Sequence, residues 1–209
     1  MKNVITPTIW YMGSGLWFFP MTAAVIFHFQ GRNPWDGLYL AGLPLVMTLI
    51  LAACALFPNW WFRKEEDYPL IRKLFIMLMI FLYYICIAVL LLQLSQGRWG
   101  YLYQKMVGVG IGLFFIFIGN VMPKLRRNRL VGIRFSWTMT DDEVWRKVHY
   151  WGGIEAMIAG ISVIVASLIF PIGQIKVMFV ILPILLLWGV VSTIHSYFIA
   201  KHMKSTDDY

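Results

Sequence analysis

The stretch "GNVMPKLRRNRLVGIRFSWTMTDDEVWRKVHYWGG", Gly119 to Gly153, lies between two long apolar runs and holds a large share of the chain's charge. A soluble protein spreads charge over its whole surface, so this concentration implies that most of the remaining chain sits where charge is costly. The composition agrees. The 209 residues are 60% hydrophobic and 17% aromatic, with 13% charged side chains and a mean hydropathy of +0.70, against ~25% charged in soluble domains.

Outward from the strip, apolar runs recur. Leu38 to Pro58, Leu74 to Gln96 and Met106 to Pro123 contain no formal charge, Tyr150 to Pro171 contains only Glu155, and Val177 to Ala200 contains only the titratable His195. A run of roughly 18 such residues is long enough to cross the hydrocarbon as a helix. A sixth run, Val4 to Phe27, is uncharged but interrupted by Pro7, Gly13, Gly15 and Pro20, residues better tolerated in membrane helices than in water. Its length, aromatic content and prolines favour a retained span over a cleaved signal peptide. The expected fold is an all-α polytopic bundle of six transmembrane helices, or five if the first run does not cross, with a short cytoplasmic amphipathic helix.

Lys and Arg set the expected orientation. With six spans, one side receives Lys2, Arg63, Lys64, Arg72, Lys73, Lys124, Arg126, Arg127, Arg129, Arg134, Arg146, Lys147, Lys201 and Lys204, and the other receives Arg32, Arg98, Lys105 and Lys176. This bias places the strip and both termini in the cytoplasm, and omitting the first span moves only the amino terminus. The net charge of +8 therefore describes one membrane face, where topology and anionic lipid explain it more simply than nucleic acid does. Two lobes are expected, residues 1–67 and 68–209, joined by "NWWFRKEEDYP", with Trp60 and Trp61 at interfacial depth and the end of the chain, 203–209, frayed. Cys54 and Cys86 should differ in depth by more than disulfide reach and read as packing residues.

Small residues suggest a helix contact. Gly108 and Gly112 in the fourth span, and Gly152, Ala156 and Gly160 in the fifth, have the four-residue spacing that lets backbones approach closely in lipid; intrinsic helix flexibility is the alternative.

Within the strip, Pro123 ends a helix and Lys124, Arg126, Arg127 and Arg129 follow at head-group depth, where membrane anchoring explains them. Residues 128–140 mix apolar, aromatic and turn-forming side chains and should pack back on the bundle as a structured loop. Thr140-Asp141-Asp142-Glu143 reads as a capping box, with Thr140 bonding the Glu143 amide and Glu143 reaching back; the acids suit the helix dipole and do not resemble a metal site. In the following helix, Val144, Val148 and Trp151 share a face with Trp145 and His149 adjoining it, while Arg146, Lys147 and Tyr150 lie elsewhere.

These residues resemble the SdpI family of bacterial membrane proteins, whose pattern runs G-N-x-M-P, then N-x-x-x-G-I-R-T-P-W-T, then V-W-x-K and a glycine. The likeness falls on Gly119, Asn120, Met122, Pro123, Asn128, Gly132, Ile133, Arg134, Trp137, Thr138, Val144, Trp145, Lys147 and Gly152, with Phe135 and Ser136 standing where the family has T-P. Upstream, "FHFQGRNPWDG", Phe27 to Gly37, is similar to the H-F-x-x-G segment of the small membrane domain that often precedes this core, without the usual L-P-x-x-I-P text before it. The resemblance implies a non-enzymatic immunity protein that protects its cell against a secreted membrane-active peptide toxin and, in some members, also holds a transcriptional autorepressor at the membrane. It implies partner binding on the cytoplasmic strip through Asn120, Pro123, Asn128, Gly132, Arg134, Trp137, Thr138, Trp145 and Lys147, and an outer surface around His28, Phe29 and Gly31. No cofactor, metal or direct nucleic-acid partner is implied.

Two polar residues lie at membrane depth. Glu155 and His195 stand at similar distances from the inner ends of their spans, so they should meet, with Ser192 and Thr193 adding hydrogen bonds. A packing contact between helices and a functional proton site both remain open. His28 alone falls short of the three protein ligands that most zinc sites use. A transporter or proton-coupled carrier is the competing reading, although no internal repeat supports it. A membrane enzyme would need a convergent catalytic set, and none is visible.

Overall fold

The computed structural model describes residues 6–31, 42–56, 68–94, 100–128, 131–170 and 178–207. Among these residues the regular structure is helical throughout: α1 Pro7–Gly15, α2 Phe18–Phe29, α3 Gly42–Leu56, α4 Tyr68–Leu94, α5 Gly100–Val121, a 3-10 turn Met122–Lys124, α6 Asp142–Ile169 and α7 Met178–Asp207. Five segments are long and apolar enough to cross a membrane: Pro7–Phe29, Pro69–Leu91, Tyr101–Lys124, Asp142–Ile169 and Phe179–Met203. This is a multi-pass helical membrane protein. The run at 38–58 contributes the 15-residue α3. Trp60, Trp61 and most of the charged linker lie outside the described residues, as does the outer loop beyond Gly31.

Spatial contacts divide the chain into Met1–Tyr103 and Gln104–Tyr209, so α4 groups with the first unit, whereas the sequence suggested a boundary near residue 67. The proline-broken first run forms two helices with a break at Leu16–Trp17. Pro20 cannot accommodate the carbonyl of Leu16 four residues back, and the Leu16 amide turns to Gly13 instead of Met12. The stranded Met12 carbonyl accepts a 2.8 Å bond from Tyr83 Oη on α4. The Trp17 indole donates to Thr48 Oγ1 on α3 at 3.1 Å. Ile9, Leu16, Met47, Leu51, Ile71 and Met79 are buried in this unit. Cys86 is buried and free; the Cys54 side chain lies outside the described part.

In the second unit the glycine pattern does bring α5 against α6. A Cβ on Gly112 would stand 2.5 Å from the Gly160 carbonyl oxygen, one on Gly160 would stand 2.5 Å from that of Gly112, and one on Gly119 would overlap the Gly153 carbonyl. Only hydrogen fits at these crossings, which is how glycine secures close packing without a hydrophobic driving force. α6 packs along α7, with Val163 and Ile181 in one buried cluster. The Lys105 ammonium donates to the Leu168 carbonyl at 3.3 Å, a cation at a helix carboxyl end.

Two local expectations change. No break separates an amphipathic interface helix from the fifth span, because α6 runs unbroken for 28 residues. The polar tail also continues as helix to Asp207; extending an established helix costs far less than starting one.

Candidate functional site

The cationic strip folds into a ledge. It begins at the Met122–Lys124 turn and returns to the bundle at the start of α6. Asn128 holds the first bend: its Oδ1 accepts from the Val131 amide at 2.8 Å while Nδ2 donates to the Arg126 carbonyl at 2.9 Å. The side chain thus replaces a backbone turn. Thr138, fully buried, holds the second: its Oγ1 accepts from the Phe135 amide at 3.0 Å and donates to the Ile133 carbonyl at 2.8 Å. Both residues satisfy backbone groups that a loop packed against protein could not leave unpaired.

Between the bends, Gly132 adopts φ +122°, and a Cβ there would overlap His149 Nε2. That close approach lets the next amide, from Ile133, donate to His149 Nε2 at 3.0 Å. His149 Nδ1 lies 2.8 Å from the Trp145 carbonyl. One nitrogen faces a carbonyl and the other an N–H, so the ring must be neutral with its hydrogen on Nδ1. His149 stacks on Trp145 at 3.8 Å between ring centroids, and the Trp145 indole donates to the Leu125 carbonyl at 2.7 Å. Trp137 stacks on Phe135 and donates to Ser196 Oγ on α7 at 3.1 Å. Val144, Val148 and Ala200 form the buried floor, with Ile133 and Trp137 packed against it.

Most residues of the sequence pattern therefore build the ledge. Asn128, Thr138, Val144 and Trp145 are buried, Gly132 admits His149, Gly152 admits Ile133 and Met122, and the Pro123 ring lies against Gly153. Asn120, Arg134 and Lys147 are exposed. Lys147 pairs with Glu143 at 3.4 Å, whereas Arg134 extends from the ledge with no such pairing among the described residues. His149, Ser196 and the Leu125 carbonyl are structural partners that the sequence reading did not single out; the signal for His149 is its i+4 spacing from Trp145 on a buried face.

Three details of the strip are corrected. The helix cap is Asp141: its Oδ2 accepts from the Glu143 and Val144 amides at 2.8 and 3.2 Å. Thr140 instead donates to the Trp137 carbonyl at 2.9 Å, and Glu143 faces Lys147 and Arg146. A carboxylate is the stronger acceptor at the positive end of a helix, and those amide bonds hold the Asp141 carboxyl below its ordinary range. Second, the inward face centres on Trp145 and His149, while Trp151 is 47% exposed. Third, Arg127 serves the ledge itself, through the Met139 carbonyl at 2.8 Å and Asp142 at 2.7 Å.

At membrane depth, Glu155 on α6 meets α7. His195 Nδ1 lies 2.5 Å from Glu155 Oε1, and Ser192 Oγ donates to Oε2. Thr193 turns to its own helix, donating to the Gly189 carbonyl. At the end of α2, His28 packs edge-on against Phe29, which is 84% exposed. Gly31 has φ +68° as the helix-ending residue, and its amide donates to the His28 carbonyl. Among the described residues no cluster of three or more His, Cys, Asp or Glu could hold a metal.

The Immunity protein SdpI of Bacillus subtilis (strain 168) is 31% identical over 93 residues, covering 44% of this chain and 44% of that protein, so the aligned region spans less than half of its curated relative. No solved structure matches. Residues 124–196, from the base of the ledge to the serine that anchors Trp137, match the SdpI/YfhL protein family.

Proposed function

We propose that this chain is a membrane immunity protein that protects a bacterial cell from a secreted, membrane-active peptide. The observation that carries the reading is that the family match runs from the base of the ledge through α6 to Ser196 in α7, and that most of the shared pattern is spent on building this one structure. The Lys and Arg bias favours a cytoplasmic ledge and carboxyl terminus. Exposed Arg134 on the ledge, Lys147 on α6 and Asn120 near the end of α5 are the residues offered to a cytoplasmic partner, for which a transcriptional repressor held at the membrane is the favoured candidate. Anionic lipid is the second partner of the same cationic face. The role is one of binding and requires no catalysis.

Heterologous expression in a peptide-sensitive bacterium tests this reading. The wild-type chain should raise survival under challenge with candidate peptides, and Arg134→Ala should insert normally while losing protection or partner recruitment. Full protection by Arg134→Ala would remove the ledge surface from the function. The contact of Glu155 with Ser192 and His195 favours a second reading, a proton-coupled carrier; pH-driven flux in liposomes containing the purified protein would support it.

A further inference from the structure

The cluster of Glu155, Ser192 and His195 has an asymmetry that ordinary helix pairing does not need. Each Glu155 oxygen already has a partner, Oε1 facing His195 Nδ1 and Oε2 accepting from Ser192. The opposite nitrogen, His195 Nε2, is reached by no partner among the described residues, and the His195 side chain is 40% exposed against 16% for Glu155. The Trp151 ring lies beside the imidazole, with centroids 5.9 Å apart and planes at 52°, within the ~6 Å over which an aromatic ring attracts a cation. The cluster thus holds an anion on one side of the imidazole and an aromatic ring on another, and leaves one nitrogen open.

We propose that these residues form a single-proton site. Glu155 stays a carboxylate, His195 keeps a hydrogen on Nδ1 bonded to Oε1, and one exchangeable proton binds and leaves at Nε2. Loading takes the pair from a net charge of −1 to 0, and the neutral pair is the form better suited to lipid. The groups facing the site are Trp151 and Glu155 from α6 and Ser192 and His195 from α7. Two further titratable side chains lie on the same helices, Tyr150 packed on Trp151 and Tyr197 packed on Trp137. Where α5 and the turn after it meet α6 in this region, they bring Gly119 and the Pro123 ring, which carry no charge. The site is joined to the ledge through the neighbouring residue, since Ser196 accepts from the Trp137 indole.

The proposal goes beyond the immunity reading and does not depend on it. Its test is nitrogen-15 NMR of histidine-labelled full-length protein in lipid nanodiscs, followed as the pH is varied, with His195→Asn to assign the signals. Nδ1 of His195 should stay protonated throughout while Nε2 passes from protonated to bare. His149 supplies an internal reference for a neutral ring with its hydrogen on Nδ1. Glu155→Gln should remove the low-field Nδ1–H resonance that a carboxylate acceptor produces. A bare Nδ1 beside a protonated Glu155 carboxyl would overturn the assignment, and so would an Nε2 that never changes state. Neither result would alter the outcome of a peptide challenge, so the two readings fail separately.

Discussion

Replacing Gly132 with alanine attacks the ledge at its tightest point. An L-residue at φ +122° is strained by about 1–3 kcal/mol. The added methyl would also overlap His149 Nε2, and moving the ring breaks its bond from the Ile133 amide, worth about 1 kcal/mol net. Together these weaken the closed ledge by about 2–4 kcal/mol, or roughly thirtyfold to several hundredfold in its opening equilibrium at about 1.4 kcal/mol per factor of ten. Hydrogen exchange in nanodiscs, read by mass spectrometry on peptides covering 131–141, should show a loss of protection of that size at Ile133, with the α5–α6 crossing little changed. Gly189→Ala is the control, because nothing lies within 4 Å of a Cβ there, and it should exchange like wild type. Wild-type protection in Gly132→Ala would refute the reasoning that this glycine exists to admit His149.

Three further outcomes are expected. Trp145→Phe keeps the ring but strands the buried Leu125 carbonyl, and should lower stability by about 1–3 kcal/mol in denaturant titrations of detergent-solubilised protein; an unchanged midpoint would deny that bond a role. Gly160→Val places atoms 2.5 Å from the Gly112 carbonyl oxygen and 2.9 Å from the Ile116 amide, so it should cost about 1–3 kcal/mol as overpacking or more, whereas Gly42→Ala should be silent in the same assay. Because bonds from the Glu143 and Val144 amides hold the Asp141 carboxyl low, the stabilisation from this cap is complete above the ordinary Asp range and is lost as pH falls through the depressed value. The Glu143 and Val144 amide shifts should therefore titrate together below about pH 4, and Asp141→Asn should abolish that titration while keeping the helix start.

How much was legible in the sequence depended on whether one rule dominated. Burial in lipid is such a rule, so charge-free runs identified the long helices. Glu155 and His195 could be paired because each is the single acid or histidine in its run and their helices run antiparallel. Glycine spacing likewise found the α5–α6 crossing. Where two weak effects competed, the reading slipped. Thr140 and Asp141 are both good caps, and the choice of Asp141 depends on where the ledge's last turn, closed by Thr140 on the Trp137 carbonyl, delivers the chain. The helix face was placed one position away from its true centre because the ledge covers α6 from a direction that a helical wheel does not contain. Arg127 read as a lipid anchor because its partners, Met139 and Asp142, become neighbours only when the strip folds back. His149 looked like one aromatic neighbour among several, since its two bonds depend on a glycine seventeen residues earlier adopting positive φ.

The account rests on an ordered ledge that faces the cell interior. The most direct test replaces Cys54 and Cys86 with serine, introduces Arg134→Cys on the exposed edge, and treats cells with a membrane-impermeant thiol reagent. The account predicts labelling only after the membrane is permeabilised; labelling of intact cells from outside would contradict it.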